Sequence, residues 1–234
     1  MELTGVNRLQ SFLLGLRGTR SFSQCGEDLI MAFVLRSLGI QKPRYLDIGA
    51  HDPIHYSNTF YFYRQGASGV CVEPDPRLCK QISRVRTRDT CLNVGVADQD
   101  DQVATFYVLS SPTLSTFSKT DVDRYLSYGR QKIVEELSIP CVSVNTILKT
   151  YFDAAPPDLV SIDVEGYDLE VLQSWNFEQF RPAVICAETL TYTEDKSEQK
   201  IDEIINLLTN QDYILWADTY INSIFVDRAR WKHR

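Results

Sequence analysis

Long apolar runs, paired cysteines and glycine-rich phosphate loops are all missing from this sequence. A membrane-spanning helix needs about 18 or more consecutive apolar residues, and no run here approaches that length. Without a CxxC pair, the cysteines are predicted to be reduced core residues, because thiols behave as small hydrophobes in apolar surroundings. They lie singly along the chain, at Cys25, Cys71, Cys79, Cys91, Cys141 and Cys186. We therefore expect a cytoplasmic protein without a transmembrane segment.

Positive charge is scarcer than negative charge. With 24 Lys and Arg against 31 Asp and Glu, the formal net charge is -7 and the pI is about 5.0. Broad electrostatic binding to the phosphates of a nucleic acid needs the opposite sign. We expect no nucleic-acid partner. The predicted partner is a small-molecule or glycan acceptor, and a homo-oligomer is compatible with the composition.

The length and composition predict a single domain over residues 1–234. Of these residues, 44% are hydrophobic and 24% are charged, which is ordinary for a globular domain. Residues 1–40 are predicted to form an N-terminal helical extension, since residues 9–16 carry leucines and a phenylalanine close to arginines. The segment has no small-residue cleavage pattern of a signal peptide. Packing on its own domain is the preferred interpretation, and contact with a membrane surface is the alternative.

Apolar runs of strand length alternate with segments of helical periodicity, which predicts an α/β fold with a parallel sheet and helices on both faces. Strands are predicted at residues 44–48, 69–73, 90–94, 103–108, 134–144, 159–163, 183–188, 213–216 and 223–226, and helices at 26–38, 57–65, 77–84, 145–151, 168–174 and 197–208. The last two strands are close in sequence and indicate an antiparallel finish. The strands at 90–94 and 103–108 are interpreted as a hairpin. Residues 110–130 are interpreted as a lid or substrate loop.

Four predicted strands end in a carboxylate, at Asp47, Glu73, Asp163 and Glu188. In an open parallel sheet, ligands bind at the carboxyl ends of the strands, so these acids are expected around one site. Gly49 follows the first strand and permits a close backbone approach. A pyrophosphate-binding GxGxxG turn is missing, which favours a nucleoside cofactor without phosphates. Glu73 is then placed to accept both hydroxyls of a ribose.

Several ordered motifs resemble the FkbM family of S-adenosylmethionine-dependent methyltransferases. They are YLDIGAHD at 45–52, SNT at 57–59, GVCVEP at 69–74 and SIDVEGYD at 161–168, with QCGEDL at 24–29 ahead of them. The resemblance covers about residues 22–190. It implies a Rossmann-like class I methyltransferase fold, with a mostly parallel seven-stranded sheet whose last strand is antiparallel. It also implies methylation of a hydroxyl on a sugar, glycolipid or polyketide-like acceptor.

The same resemblance assigns cofactor-binding roles to individual residues. Asp47 and Gly49 fall at the methionine end of the cofactor, Glu73 on its ribose, Asp98 at the adenine amino group and Asp163 beside the sulfonium. Asn58 is a further cofactor-binding candidate. Gln24 and Glu27 are placed to close over the methionine moiety, with capping of the first helix as their alternative role. His51 departs from the family pattern, which usually has asparagine there. The change introduces a side chain that titrates near neutral pH, so both cofactor packing and proton transfer are open to His51.

Methyl transfer to a hydroxyl requires an in-line approach and a base that removes the proton of the acceptor. Glu165 is the first candidate for this base, and Asp163 and His51 are the other catalytic candidates. Charge stabilisation of a helix N-terminus is the alternative role for Glu165. A further hypothesis is that Asp163, Glu165 and Glu188 hold Mg²⁺, since hard cations prefer oxygen ligands.

Two other functions remain open from the sequence. A nicotinamide-dependent oxidoreductase on a Rossmann scaffold uses the same ribose-binding acid, and the missing glycines disfavour it. A non-catalytic binding protein with the methyltransferase fold is the other, because a fold does not guarantee activity.

Overall fold

The structure is a computed structural model that describes residues 18–191, 193 and 197–234. The predicted amphipathic segment at 9–16 lies outside these residues. The strands are β1 (Arg44–Ile48), β2 (Ser68–Val72), β3 (Thr90–Leu92), β4 (Gly95–Ala97), β5 (Gln102–Leu109), β6 (Ile133–Ser143), β7 (Leu159–Ile162), β8 (Val184–Glu188), β9 (Tyr213–Asp218) and β10 (Asn222–Asp227). The helices are α1 (Glu27–Ser37), α2 (Phe60–Arg64), α3 (Pro76–Val85), α4 (Lys119–Ser127), α5 (Val144–Tyr151), α6 (Asp168–Ser174), α7 (Asp202–Asn210) and α8 (Arg228–Lys232).

Seven strands form the main sheet in the order β3-β2-β1-β7-β8-β10-β9. All neighbours pair in parallel except β10, which is antiparallel to both β8 and β9. In the register of the central strands, Leu46 of β1 lies beside Val70 of β2 and Val160 of β7. The order reverses between β1 and β7, which in parallel sheets is where a ligand crevice opens. The predicted class I methyltransferase fold is confirmed, including its antiparallel finish.

Side chains of β1 alternate between two cores, one on each face of the sheet. Leu46 and Ile48 pack into the core that contains residues of α5, α6 and α7. Tyr45 packs into the opposite core, with residues of α1 and α2. Asp47 therefore shares the face of Tyr45, and helices cover both faces as the sequence predicts.

A second sheet corrects the predicted hairpin. It has the order β4-β6-β5, and β5 pairs antiparallel with β6 along its whole length. By contrast, β3 lies parallel to β2 at the edge of the main sheet. The hairpin prediction is wrong because the 11-residue β6 offers β5 a full ladder, whereas the three-residue β3 is already paired with β2.

The segment predicted as a lid contains short helical pieces, and one predicted helix starts later than expected. Residues 110–130 contain a 3₁₀ turn at Pro112–Leu114 and helix α4, whose first turn is capped by the hydroxyl of Ser118 on the amide of Asp121 at 3.2 Å. The helix predicted from residue 197 begins instead at Asp202. The preceding amide of Ile201 donates to the carbonyl of Thr189 at 2.9 Å, so this backbone extends the β8 end before the helix starts.

Candidate functional site

A cavity of about 590 Å³ opens at the carboxyl ends of the central strands. Pockets for small molecules span about 300–1,000 Å³, so the volume suits a nucleoside cofactor with part of an acceptor. All four strand-end acids of the sequence prediction line it, namely Asp47, Glu73, Asp163 and Glu188. Residues 112–115 of the predicted lid also line it.

Gly49 fixes the shape of the cavity floor. Its φ is +82°, and a Cβ at this position would lie 1.8 Å from the carbonyl oxygen of Asp163. Only glycine tolerates both the left-handed backbone and this contact. The ends of β1 and β7 can therefore meet, and this brings Asp47 and Asp163 to the same part of the cavity.

Glu73 is a buried carboxylate at the end of β2. Its Oε2 accepts from the backbone amide of His51 and its Oε1 from that of Asp75, both at 2.8 Å. Burial nevertheless raises the pKa of Glu73 to about 7. Two fixed amides orient the carboxylate, and each oxygen keeps a lone pair for a ligand hydroxyl.

Asp47 is held in place by two residues that the sequence did not predict, Thr59 and Arg86. Its Oδ2 accepts from the hydroxyl of Thr59 and lies 3.7 Å from Nη1 of Arg86. Burial raises the pKa of Asp47, and Arg86 opposes that rise. A buried acid predicts a cationic partner, yet nothing in the sequence distinguishes Arg86 among 24 lysines and arginines.

His51 has its backbone in the left-handed region, with φ +49°, and its ring lines the cavity. The ring Nε2 is buried, and no residue in the described part of the chain bonds to it. Burial lowers the pKa of His51, while Asp52 and Asp75 oppose that change. At neutral pH the ring is uncharged and has a nitrogen available to a ligand.

Carboxylates crowd the β7 side of the cavity. Burial, followed by the charge of Asp47, raises the pKa of Asp163 to about 6. Burial and the charge of Asp163 raise the pKa values of Glu165 and Glu188 well above the ordinary range. The buried Asp168 behaves in the same way, with a pKa of about 8.

The magnesium hypothesis is not supported by this arrangement. Across residues 18–191, 193 and 197–234, no three His, Cys, Asp or Glu side chains are grouped so that they could hold a metal ion. Asp163, Glu165 and Glu188 all line the cavity without forming such a group.

The remaining predicted residues divide between the cavity and other places. Gln24 and Asn58 line the cavity, and Asn58 Nδ2 donates to Ser161 Oγ at 3.1 Å. Glu27 is fully buried, and its Oε1 accepts from Thr219 Oγ1 at 2.7 Å, so it ties α1 to the β9–β10 turn. Asp98 is exposed and does not line the cavity. The predicted adenine contact of Asp98 is therefore not supported by its position.

The charge of the cavity wall has one sign. Among the described residues that line it there are seven carboxylates and no lysine or arginine: Asp47, Glu73, Asp75, Asp163, Glu165, Glu188 and Glu198. A pyrophosphate would be repelled here. A ligand that carries positive charge would be attracted, and it would lower the raised pKa values of the acids.

The sequence profile of the methyltransferase FkbM domain matches residues 47–215. The chain belongs to this family. The match begins at Asp47 and includes every strand-end acid of the cavity. Gln24 and Glu27 lie ahead of the matched region.

Three solved structures show how this FkbM domain compares with other methyltransferases. An O-methyltransferase from Bacillus cereus is 13% identical, with 93% of this chain and 88% of that chain covered and a TM-score of 0.40. The O-methyltransferase TomG from Streptomyces achromogenes is 12% identical, with 96% of each chain covered and a TM-score of 0.39. A TehB-like methyltransferase from Corynebacterium glutamicum is 9% identical, with 94% and 95% covered and a TM-score of 0.41. At these scores the three structures add nothing to the assignment of function.

The comparison with curated proteins gave no match. Among the described residues of the FkbM domain and its flanking segments, no helix is long and apolar enough to cross a membrane.

Proposed function

We propose that this protein is an O-methyltransferase that uses S-adenosylmethionine and acts on a hydroxyl of a sugar, glycolipid or polyketide-like acceptor. The observation that carries the proposal is the acidic cavity at the strand ends of an FkbM domain, whose described lining residues include no lysine or arginine. S-adenosylmethionine carries a sulfonium and an ammonium group and no phosphate. The wall charge fits it and opposes a nicotinamide dinucleotide, which was the alternative enzyme class.

The residues present fit each part of this cofactor. Glu73 would accept the ribose hydroxyls, and the unpartnered Nε2 of His51 beside it would accept or donate a further hydrogen bond. Asp47, with Gln24 and Asn58, would hold the methionine end, where a carboxylate suits an ammonium group. The apolar residues 94–96 line the cavity next to the β2 end and offer a surface for the adenine ring of the cofactor.

The chain has to orient an acceptor hydroxyl and take its proton. When bound, S-adenosylmethionine would supply an electrophilic methyl group to the acceptor oxygen, with S-adenosylhomocysteine as the leaving group. Glu165 is the proposed base. Its pKa is raised by burial and Asp163, which makes its ionised form a stronger base. Asp163 would stabilise the sulfonium of the cofactor. The positive charge of the sulfonium would in turn favour the ionised form of Glu165.

Cofactor binding is the first test. Isothermal titration of the wild-type protein with S-adenosylhomocysteine should show binding at micromolar concentrations. Glu73→Ala and Asp47→Ala should each weaken binding by about 10-fold or more, since hydrogen bonds to charged groups contribute about 1.5–3 kcal/mol. Glu203→Ala, an exposed acid on α7, is the matched control and should bind as the wild type does.

Two outcomes would contradict the proposed function. An absence of heat with S-adenosylhomocysteine at high micromolar concentration, or protection by NADH alone, would remove the cofactor assignment. Cofactor binding without methylation of any compound would favour the non-catalytic binding protein. The decisive measurement is mass spectrometry of products formed from labelled S-adenosylmethionine in an extract of the source organism.

A further inference from the structure

A fully buried arginine lies beneath the β1 end of the cavity. Arg86 follows the last residue of α3 and is 0% exposed. Its Nε donates to Asp89 Oδ2 at 2.7 Å, and its Nη2 donates to Thr59 Oγ1 at 2.8 Å and to the hydroxyl of Tyr45 at 3.1 Å. The guanidinium thus donates to these three side chains inside the protein.

Asp89 balances the charge of Arg86. Its side chain is also 0% exposed, and it accepts from the hydroxyl of Tyr45 at 2.7 Å and from the amide of Gly69 at 2.9 Å. An unpaired buried charge is strongly destabilising, whereas a paired and hydrogen-bonded one is tolerated. The Arg86–Asp89 ion pair is therefore held in place, and it can orient further polar groups that bond to it.

Asp47 is the group that this ion pair orients. The hydroxyl of Thr59 accepts from Arg86 and donates to Asp47 Oδ2, and Arg86 Nη1 faces the same oxygen at 3.7 Å. Both of these contacts go to Oδ2, which leaves Oδ1 for a ligand. Asp47 lines the cavity, while Arg86 and Asp89 do not.

We propose that Arg86 is a positioning residue for the cofactor: through Thr59 and by its own charge, it keeps Asp47 ionised with one carboxylate oxygen turned to the cavity. The inference rests on the proposed function, in which Asp47 holds the ammonium end of the cofactor. Arg86, although outside the cavity, would contribute to cofactor affinity, and only through Asp47.

Other ionisable groups also surround Asp47. They are Arg86 and Asp89 from the α3–β3 segment, Glu73 and Cys71 from the β2 segment, Asp163 after β7 and Cys186 on β8. Glu73 and Asp163 have pKa values of about 7 and 6, so their titration also changes cofactor binding with pH. A pH profile alone would therefore not identify Asp47. The test must therefore compare each variant with and without the Asp47 carboxylate.

The experiment is a double-mutant cycle read by titration with S-adenosylhomocysteine. Arg86→Gln should weaken binding by about 10-fold, equal to about one unit of pKa, and should raise the pH below which affinity falls. In the Asp47→Asn background the same change should have little further effect, because its target is gone. Arg86→Lys, which keeps the charge, should restore part of the affinity and return the pH midpoint towards that of the wild type.

The control is Arg88→Gln. Arg88 bonds to the carbonyl of Tyr63 and stacks on its ring at 3.9 Å, away from Asp47, so this variant should bind normally. If Arg86→Gln does not fold, Thr59→Val enters the same cycle, since it replaces the hydroxyl between Arg86 and Asp47 with a methyl group of similar size. Equal losses of affinity in both backgrounds would overturn the inference and leave the proposed function standing. A wild type that does not bind would overturn both.

Discussion

His51 and Glu165 share an unusual backbone but not a protonation state. Both have φ values in the left-handed region, +49° and +52°, where a residue with a Cβ costs about 1–2 kcal/mol. Such strain concentrates at ligand sites. Burial lowers the pKa of His51, which favours the neutral ring, whereas burial and the charge of Asp163 raise the pKa of Glu165, which favours its protonated form.

This contrast predicts how the two residues separate in a kinetic experiment. Glu165→Gln should lower kcat by about 100-fold or more, the usual contribution of a general base, with affinity for S-adenosylhomocysteine unchanged. His51→Ala should weaken cofactor affinity and leave kcat at saturating cofactor within about 10-fold of the wild type. The ranking is wrong if Glu165→Gln leaves turnover intact while His51→Ala eliminates it, with cofactor affinity preserved in both.

At the scale of elements, Gly49 allows the ends of β1 and β7 to lie close together. A Cβ at Gly49 would meet the backbone at the β7 end, 1.8 Å from the carbonyl oxygen of Asp163. Gly129, after α4, has a similar φ of +74°, but a Cβ there would have nothing within 4 Å. The two glycines therefore separate the effect of contact from the effect of φ alone.

Gly49→Ala is predicted to lower the free energy of unfolding by about 3 kcal/mol or more, since strain in φ and overpacking each cost about 1–3 kcal/mol. It should also abolish cofactor binding, because the β1 and β7 ends must move apart. Gly129→Ala should cost only about 1–2 kcal/mol and leave binding intact. Urea unfolding and titration with S-adenosylhomocysteine measure both; equal losses in the two variants would contradict the role given to Gly49.

At the scale of the whole molecule, two cavity acids and the neighbouring Asp168 control how stability depends on pH. The pKa values of Asp163, Glu73 and Asp168 are raised to about 6, 7 and 8, in each case mainly by burial. The folded protein therefore holds protons that the unfolded chain releases at lower pH. Their stabilising contribution is fully present below the unfolded pKa values and is lost as the pH rises through the folded ones.

We therefore predict that the ligand-free protein loses stability between about pH 5 and pH 8. The loss should exceed about 2 kcal/mol, since each unit of pKa shift corresponds to about 1.4 kcal/mol. Urea unfolding at a series of pH values measures it. Glu73→Gln removes one of the groups and should flatten the slope, whereas a stability that rises across this range would contradict the pKa directions.

Local features of the sequence were enough for most of the elements. Strand β1 and helix α6 are as predicted, because an apolar run and a helical period each depend only on neighbouring residues. The strand-end acids could also be read locally, and all four line the cavity. The β3–β5 hairpin failed as a prediction, since the path of the chain after β3 depends on which strand offers a longer partner. The role of Asp98 stays a prediction, and its side chain does not line the cavity.

The sequence by itself determined the alternation of strands and helices, the acids at the strand ends and the family to which the chain belongs. Tertiary structure alone decided that Arg86, Thr59 and Asp89 lie beneath Asp47, that Glu27 ties α1 to the β9–β10 turn, and that no lysine or arginine lines the cavity among the residues described. The physical reason is range. Periodicity and turn chemistry act over a few residues, whereas the partner of a buried charge is set by packing between elements far apart in the chain.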